Sequence, residues 1–495
     1  MRALSSWSMI PLLRSLRPAI VREQAAYDGL TAFAPIWAIA ALFSIAGDRD
    51  DLLLRSELVR SVLAWGAVAA AAALVLRPRS TRLFLTLVVL MLARYAVALP
   101  VASNNKMITA FMNAGILLIA VQACLFVVRG DRSMLRELMY ERMRVVARAL
   151  LAVMYFYGIF HKINADFLDP RVSCAVALYT PLASGFGLGE SLIGKYLAIW
   201  STFIIETITL VALYWKRYFA VGLLLGLVFH FIIPISAYSW YMDFSSLVLA
   251  LYVLSVPREV SAAFYESCAR TFRKLRARIG ELGALLPFTA AIVAAASVVL
   301  ILRYLNPQVQ AGQFHLYQSF WVLLWAIYGG LTMVLLVNAA IDHLPWRGQT
   351  MPRQPLWLYL VPLTLFVISA SPYLGLRTEA SIAMFSNLHT EGGITNHLVV
   401  TQPPTLFPYQ RDVAMIRGSS DPNIQRLADT ERGLVLFSLQ EYLRRHPSEW
   451  VTYDLHGVRH EQVTAADVRE PAAWWERSFL IFKPVNFARP KVCTH

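Results

Sequence analysis

Long apolar runs recur along the first three quarters of this chain, and they constrain its fold more than any other feature. Many reach about 18 residues, enough for a helix to cross roughly 30 Å of hydrocarbon. Hydrophobic residues make up 57% of the 495 residues and charged residues only 15%. The mean hydropathy is +0.53. Because a single soluble core cannot accommodate such runs, the sequence predicts a polytopic, mainly α-helical membrane bundle.

About eleven segments are long and apolar enough to be membrane spans. They lie at residues 29–47, 60–76, 83–100, 107–128, 145–162, 192–214, 218–236, 240–256, 285–303, 316–340 and 356–376. The formal charge of +14 could suggest a nucleic-acid partner, but the basic residues lie mainly in short connections between the spans. This distribution is typical of membrane proteins. We therefore expect a lipid bilayer, and no nucleic acid, around this chain.

The connections on alternate sides of the predicted bundle differ in charge. Arginine and lysine collect before the first span and in the two long loops 129–148 and 257–284, whereas the opposite connections carry few basic residues. Short basic connections stay in the cytoplasm. We therefore expect an integral cytoplasmic-membrane protein with its N-terminus inside and its C-terminus outside. The two long basic loops should lie on the anionic inner leaflet.

The composition changes near residue 377, where charged residues, proline and histidine become more frequent and no run is long enough to span. Strand-like runs lie at 397–400, 412–418, 449–457 and 479–484. They are mixed with helical stretches such as 436–447, which indicates a small α+β domain. We therefore divide the chain into a transmembrane domain, residues 1–376, and an extracytoplasmic tail domain, residues 377–495.

A lysine and a glutamate stand in consecutive candidate spans. Lys162 lies at the end of one span, on the same helical face as Tyr155. Lysines at helix ends often act only as interfacial anchors, so position alone leaves both interpretations open. Glu206 falls near the centre of the next span. A carboxyl group there is costly unless it is paired or protonated, so Glu206 should face the protein interior and accept a hydrogen bond.

A histidine in the following span completes a polar set inside the predicted membrane region. His230 precedes Pro234, which can break the helix and open a cavity. A lone buried histidine is more often a hydrogen-bonded structural residue than a catalyst. The segment between spans, residues 164–189, is too apolar to be well solvated and contains no full span. We expect it to be re-entrant or interfacial over a cavity.

Two further groups of residues were considered as sites. Asn387, His389, Glu391, Asn396 and His397 surround a Gly-Gly turn in the tail. A solvated hairpin explains them better than a metal site, since the two histidines are far apart in sequence. The four cysteines also lack metal-binding spacing.

The predicted topology indicates which cysteines can be oxidised. Cys174 and Cys493 would both face the oxidising side and can form a disulfide. Cys124, in a span, and Cys268, on the inner side, should stay reduced.

The stretch YFYGIFHKINADFLD, residues 155–169, resembles a segment of vitamin K-dependent gamma-carboxylase and its bacterial relatives of the HTTM (horizontally transferred transmembrane) class. That segment reads roughly Tyr-Phe-x-x-Gly-x-x-Lys-Leu-x-x-Asp-Trp. The matching residues are Tyr155, Phe156, Lys162, Ile163, Asp166 and Phe167, with the glycine displaced by one position. Glu206 and the pair Phe229–His230 match later spans. SIAMFSNL, residues 381–388, looks like a Met-containing strand of those proteins.

The resemblance implies a quinol-linked, carboxylase-like enzyme of a bacterial inner membrane, with its active site at the outer leaflet. In the carboxylase, a lysine deprotonates reduced vitamin K, reaction with oxygen generates a strong base, and carbon dioxide adds to a glutamate side chain. Lys162 is the residue onto which the role of base carries. Desolvation by apolar neighbours would favour its neutral amine. The implied cofactor is a reduced quinone of the vitamin K or menaquinone type, and the implied partner is an exported peptide or protein.

Two functions remain after this comparison. As an enzyme, the protein would use Lys162, His161 and His230 in catalysis, and Tyr155, Trp200 and Glu206 to bind the cofactor. As a non-catalytic transporter, immunity factor or export-linked factor, it would use a polar intramembrane cavity without chemistry. An enzyme predicts a cavity that reaches from lipid to Lys162. A transporter predicts a pathway open to both sides and inverted repeats, of which the sequence gives no sign.

Overall fold

Helices dominate the computed structural model, which describes residues 28–126, 132–236, 240–278, 316–343, 354–468, 472–487 and 490–493. Up to residue 376 the helices are α1 (Gly29–Gly47), α2 (Arg49–Leu52), α3 (Leu58–Leu76), α4 (Thr81–Ala98), α5 (Asn104–Phe126), α6 (Arg132–Phe160), α7 (Ala165–Leu168), α8 (Cys174–Ser184), α9 (Leu192–Tyr214), α10 (Phe219–Ser236), α11 (Met242–Ser255), α12 (Arg258–Arg278), α13 (Leu316–Ile341), α14 (Leu360–Ser369) and α15 (Ser371–Leu374). The prediction of a mainly helical chain is confirmed.

Seven of the described helices are apolar and long enough to cross a membrane, namely α1, α3, α4, α5, α6, α9 and α13. The predicted number of about eleven spans is not confirmed. Helices α10, α11 and α14, which match three other predicted spans, are shorter apolar helices. The predicted span 285–303 lies outside the described residues. Helix α11 is buried along nearly its whole length. Because protein surrounds it, α11 has little contact with lipid and need not have full membrane length.

Among the long helices, α1, α4 and α6 start at one end of the bundle and α5 starts at the other. At one end, Arg136 at the start of α6 donates to Asp28, 2.9 Å away, and to Thr81 at the start of α4. Arg258 at the start of α12 pairs with Glu137, 2.7 Å away, at the same end. We call this end, formed by the starts of α1, α4, α6 and α12, the basic face.

The opposite end of the bundle carries the tail. Arg94, near the end of α4, pairs with Asp48 at the end of α1 at 2.8 Å. The backbone N–H of Ile382, from the tail, donates to the side chain of Asn104 at the start of α5. We call this end the tail face. The alternation of the helices between these two faces is the threading that the charge distribution of the connections predicts.

The prediction of a basic loop at 129–148 is wrong for most of its length. From Arg132 onward it forms the first turns of α6. The guanidinium of Arg144 donates to the carbonyl oxygens of Leu254 and Val256, at 3.3 Å and 2.8 Å. These carbonyls lie at the end of α11, where helical carbonyl groups lack intrahelical partners and attract cations. This side chain therefore caps a neighbouring helix as well as carrying charge at the basic face.

Glycines hold α9, α10 and α11 close together near the basic face. A Cβ atom added at Gly222 would lie 2.8 Å from the backbone nitrogen of Leu213 in α9. One added at Gly226 would lie 1.9 Å from the hydroxyl of Tyr252 in α11. Small residues four apart commonly allow such close packing between membrane helices.

Replacing Gly226 by alanine should therefore destabilise the bundle. The added methyl group collides with Tyr252, and overpacking of this kind typically costs about 1–3 kcal/mol. Gly66→Ala is the matched control, because its Cβ atom would meet only Leu90 at 3.8 Å and alanine favours helix. Thermal unfolding in detergent measures both. Equal midpoints for the two variants would contradict the close contact.

The tail contains a four-stranded antiparallel sheet in the order β2-β1-β3-β4. Its strands are β1 (Val413–Ser419), β2 (Gly433–Val435), β3 (Val451–Leu455) and β4 (Val458–Val463), and its helices are α16 (Pro422–Asp429), α17 (Leu436–Arg445) and α18 (Trp474–Phe479). Ile416, Leu439 and Val451 are buried between the sheet and the helices. The predicted combination of helices and strands is therefore present.

The strand assignments in the tail are correct only in part. The run at 412–418 covers β1 except for its last residue, and the run at 449–457 contains β3, but 397–400 and 479–484 are not strands. The structure adds β2, which is very short, and β4, whose residues are mostly exposed and polar. An exposed edge strand lacks the alternation of apolar and polar residues by which strands are recognised in a sequence. SIAMFSNL is not a strand either, since Ile382, Phe385 and Asn387 have positive φ.

Candidate functional site

The side chains at the end of α6 and just after it have different partners. Asn164 caps α7 by accepting a hydrogen bond from the N–H of Phe167 at 2.8 Å. His161 is fully buried, with Nδ1 2.9 Å from the hydroxyl of Tyr373 and Nε2 3.2 Å from the carbonyl oxygen of Ser381. His161 thus joins the end of α6 to the tail and does not belong to the lining of the cavity that contains Lys162.

Lys162 and Glu206 form a buried ion pair. The Nζ atom of Lys162 donates to both carboxylate oxygens of Glu206, each at 2.6 Å. The two side chains are only 8% and 10% exposed. The prediction that Glu206 faces the bundle interior and is hydrogen-bonded is confirmed. Lys162 does not extend to the surface as an anchor, because its amine is held by a partner on α9.

A second polar group lies beside this pair. The hydroxyl of Tyr155 shares a hydrogen bond with Nε2 of His230 at 2.9 Å and another with the hydroxyl of Tyr252. All three side chains are buried. Nδ1 of His230 has no hydrogen-bond partner within the described part of the chain. The sequence does not distinguish Tyr252 as a site residue, because the partners of a tyrosine in an apolar helix cannot be predicted from its neighbours.

The ion pair and His230 line one cavity of about 420 Å³. Its walls come from α6, α8, α9, α10 and the tail, and they are mostly apolar. Tyr155, Lys162, Glu206 and His230 contribute polar atoms to the lining. A largely apolar cavity of this size with a few convergent polar groups is the usual form of a small-molecule site. The structure thus brings together four of the six residues that were selected from the sequence.

Exposed residues of α9 and α10 take part in the lining of the cavity. They are Ser201 of α9 and Val228 and Ile232 of α10. Trp200, which was expected to line the path of a cofactor, does not belong to the lining. Its side chain is 52% exposed on another face of α9. The sequence could place Trp200 near the cavity but could not identify the face of the helix that it occupies.

The predicted interfacial segment forms a cover over the cavity. Helix α8 has only 11 residues and supplies Ala175, Leu178, Tyr179 and Leu182 to the lining. The first residues of the tail contribute Ile382, Met384 and Phe385. The tail is therefore part of the cavity wall. The sequence did not indicate this, since these three apolar residues look like an ordinary strand.

Helix α8 is clamped to both ends of the tail. Cys174, its first residue, forms a disulfide with Cys493. Asn387 accepts a hydrogen bond from the N–H of Cys174 at 2.8 Å and donates to the carbonyl oxygens of Val172 and Lys491 at 3.0 Å and 3.1 Å. The predicted disulfide is thus confirmed, and Cys124 and Cys268 are free.

Removing the disulfide should loosen the cover of the cavity. In the variant Cys174→Ser/Cys493→Ser we expect faster amide exchange in residues 174–184 and a lower thermal midpoint, because a cross-link that closes a long loop contributes about 2–4 kcal/mol. Hydrogen-exchange mass spectrometry measures the first effect. A reductant should change the wild type in the same way and leave the double variant unaffected. Unchanged exchange in α8 would refute the clamp.

The polar cluster in the tail has a structural arrangement. Nδ1 of His389 lies 2.7 Å from Oε2 of Glu391, and both residues are buried. Burial alone would raise the pKa of Glu391, but its hydrogen bond with His389 and the positive charge of nearby Lys491 hold it well below its usual range. Nδ1 of His397 accepts the N–H groups of Val399 and Val400 at 3.1 Å and 2.9 Å. The first contact is buried, and the second caps a turn. The prediction of a solvated hairpin is therefore wrong.

The fold and the site together define a mainly helical, membrane-embedded protein with a largely apolar cavity and a buried lysine–glutamate pair. Compared with protein-family models, curated proteins and solved structures, the chain has no match. Its function must be inferred from the chemistry of the cavity.

Proposed function

We propose that this protein is an HTTM-class relative of vitamin K-dependent gamma-carboxylase and a quinol-linked membrane enzyme in which Lys162 is the general base. The observation that carries the proposal is the Lys162–Glu206 ion pair in the wall of an otherwise apolar cavity. Apolar residues of similar volume often stabilise a protein as well as a buried ion pair does, or better. A requirement for a proton acceptor at this position explains the presence of the pair.

The lining of the cavity supports a reduced quinone as its ligand. Its apolar walls suit an aromatic ring, and an entrance beside the exposed lining residues Ser201, Val228 and Ile232 would admit an isoprenoid chain that remains in lipid. Nδ1 of His230, which lacks a partner among the described residues, can hydrogen-bond a ring oxygen. When bound, a reduced quinone supplies an acidic hydroxyl group and the electrons for reaction with oxygen. These features support a lipid-soluble ligand that enters the cavity from the surrounding lipid.

The ion pair can supply a neutral amine without a change in net charge. A proton that moves from Nζ of Lys162 to Oε1 of Glu206, 2.6 Å away, removes both charges. The amine can then accept a proton from an acidic hydroxyl group in the cavity. Tyr155 and Tyr252 hold the ring of His230 in place through their hydrogen bonds.

The proposed orientation places the tail outside a bacterial inner membrane and the basic face in the cytoplasm. The arginines of the basic face support it through the positive-inside rule. The Cys174–Cys493 disulfide at the tail face also supports it, since structural disulfides persist in oxidising compartments. An exported peptide or protein would then approach the site from the side of the tail, where the cover of the cavity consists of α8 and residues 382–385.

Packing near the basic face favours an enzyme over a transporter. A transporter needs a path that can open to both sides of the membrane. Among the described residues, Gly222 packs closely against α9, and Gly226 packs closely against Tyr252, whose hydroxyl bonds Tyr155 in the cavity wall. We infer that this packing closes the cavity toward the basic face.

Reduced naphthoquinone and oxygen test the proposal directly. Membranes that contain the wild type should consume the hydroquinone faster than control membranes and incorporate labelled carbon dioxide into an exported peptide or protein. The Cys174–Cys493 disulfide should remain intact during turnover. Hydroquinone consumption without incorporation would retain the quinol-linked enzyme and exclude carboxylation. Neither activity, together with no retention of quinone by the purified protein, would overturn the proposal.

A further inference from the structure

A second, smaller cavity lies at the tail face, away from the Lys162 site. It has a volume of about 30 Å³ and lies between the ends of α1 and α4 and the starts of α3 and α5. Its charged lining residues are Asp48, Asp51, Arg60, Arg94 and Lys106. A cavity needs about 10–15 Å³ to hold one water molecule. This cavity therefore has room for one small ion or for about two water molecules.

Arg94 is the central group of this cavity. Its side chain is only 7% exposed, and Nη2 donates to Asp48 at 2.8 Å and lies 3.4 Å from Asp51. Its Nε and Nη1 atoms are buried and have no acceptor in the described part of the chain. A buried guanidinium with unused N–H groups is unfavourable unless another acceptor completes its hydrogen bonds.

The charges around the cavity do not cancel. Arg60 pairs with Asp51 at 3.3 Å, and Lys106 pairs with Asp48, so three cations share two carboxylates. The lining therefore carries one excess positive charge. Arg60 is 40% exposed and solvent screens part of this charge, whereas the side chain of Arg94 is only 7% exposed. A buried charge whose hydrogen bonds are incomplete is costly. One monovalent anion would cancel the excess and accept the unused hydrogen bonds.

We propose that this cavity is a binding site for a monatomic anion of the halide type, held by Arg94 with Lys106 nearby. The volume sets the size of the ion, and the unused N–H donors together with the excess positive charge set its sign. The site is independent of the function proposed for Lys162. An anion here would join the ends of α1 and α4 to the start of α5 and thereby stabilise the tail face.

Chloride dependence of stability tests the site. Protein in lipid nanodiscs is titrated with sodium chloride against sodium gluconate at constant ionic strength. The thermal midpoint should rise with chloride and then level off, because a ligand that binds only the folded state stabilises it by mass action. Bromide should act in the same way. Equal midpoints in chloride and gluconate would overturn the proposal.

Two variants separate a site from a general salt effect. Lys106→Gln removes the excess charge and leaves Asp48 paired with Arg94, so its apparent chloride affinity should fall at least tenfold. Arg55→Gln is the matched control, because Arg55 is exposed and does not line the cavity. An equal chloride response in Lys106→Gln and the wild type would contradict the site. In bromide-soaked crystals, an anomalous peak beside Arg94 would support it, and water alone would refute it.

Discussion

Lys162→Arg is expected to leave the protein folded and to abolish its hydroquinone-dependent activity. Arginine can retain the ion pair with Glu206, since a guanidinium bonds both oxygens of a carboxylate. Arginine does not release its proton near neutral pH, whereas a buried lysine can. Expression, thermal midpoint and hydroquinone consumption should be measured together. We expect the first two to be close to those of the wild type and the third to fall at least a hundredfold, the lower range of general base catalysis.

Lys195→Arg provides the matched control for this experiment. Lys195 lies on the same helix as Glu206 and pairs with Glu190 at 2.7 Å, but it does not line the cavity. Its replacement should change neither stability nor turnover. Full activity in Lys162→Arg would show that Lys162 serves only as the structural partner of Glu206. If Lys162→Arg does not fold, the substitutions at both Lys162 and Glu206 described next still separate a structural role from a catalytic role.

Removing one member of the Lys162–Glu206 pair should destabilise the protein far more than removing both. Lys162→Met leaves the carboxylate of Glu206 buried without a cation, and Glu206→Leu leaves the amine without an acceptor. A broken buried ion pair typically costs about 3–5 kcal/mol. The double variant Lys162→Met/Glu206→Leu removes both charges, so its stability should lie within about 1 kcal/mol of the wild type or above it. Unfolding in mixed micelles measures all four proteins.

The double variant separates stability from function. It should fold normally and have no hydroquinone-dependent activity, since it lacks the proton acceptor. The same substitutions at Lys195 and Glu190 are the control, because the side chain of Glu190 is 90% exposed and ion pairs open to solvent contribute about 0–1 kcal/mol. Equal losses of stability in the single and double variants would contradict the buried pair. An active double variant would contradict the proposed function.

The helices were largely predictable from local sequence. The predicted spans 29–47 and 192–214 coincide with α1 and α9, because each apolar run begins directly after a polar capping residue. Asp28 accepts the N–H groups of Leu30 and Thr31, and Ser191 accepts that of Gly194. Hydropathy and capping depend on neighbouring residues alone, so a linear sequence contains both signals. The tail strands β1 and β3 were found for the same reason.

The polar residues of the site were also visible in the sequence, but their partners were not. Burial cost alone indicated that Glu206 must face the protein interior. Its partner is Lys162, which is 44 positions away, and Tyr155 contacts His230 and Tyr252 at separations of 75 and 97 positions. Such contacts depend on how each helix is rotated about its axis and on which helices pack against it. The sequence of a single helix does not determine either.

Sequence by itself therefore determined the helical class of this protein, most of its membrane-length helices and the polar residues that needed an interior position. Tertiary structure alone decided that His161 joins the tail, that Trp200 faces outward, and that residues 382–385 complete the cavity wall. The physical reason is the range of the interactions. Hydropathy and helix capping act between near neighbours, whereas a cavity forms from segments that folding brings together across hundreds of residues.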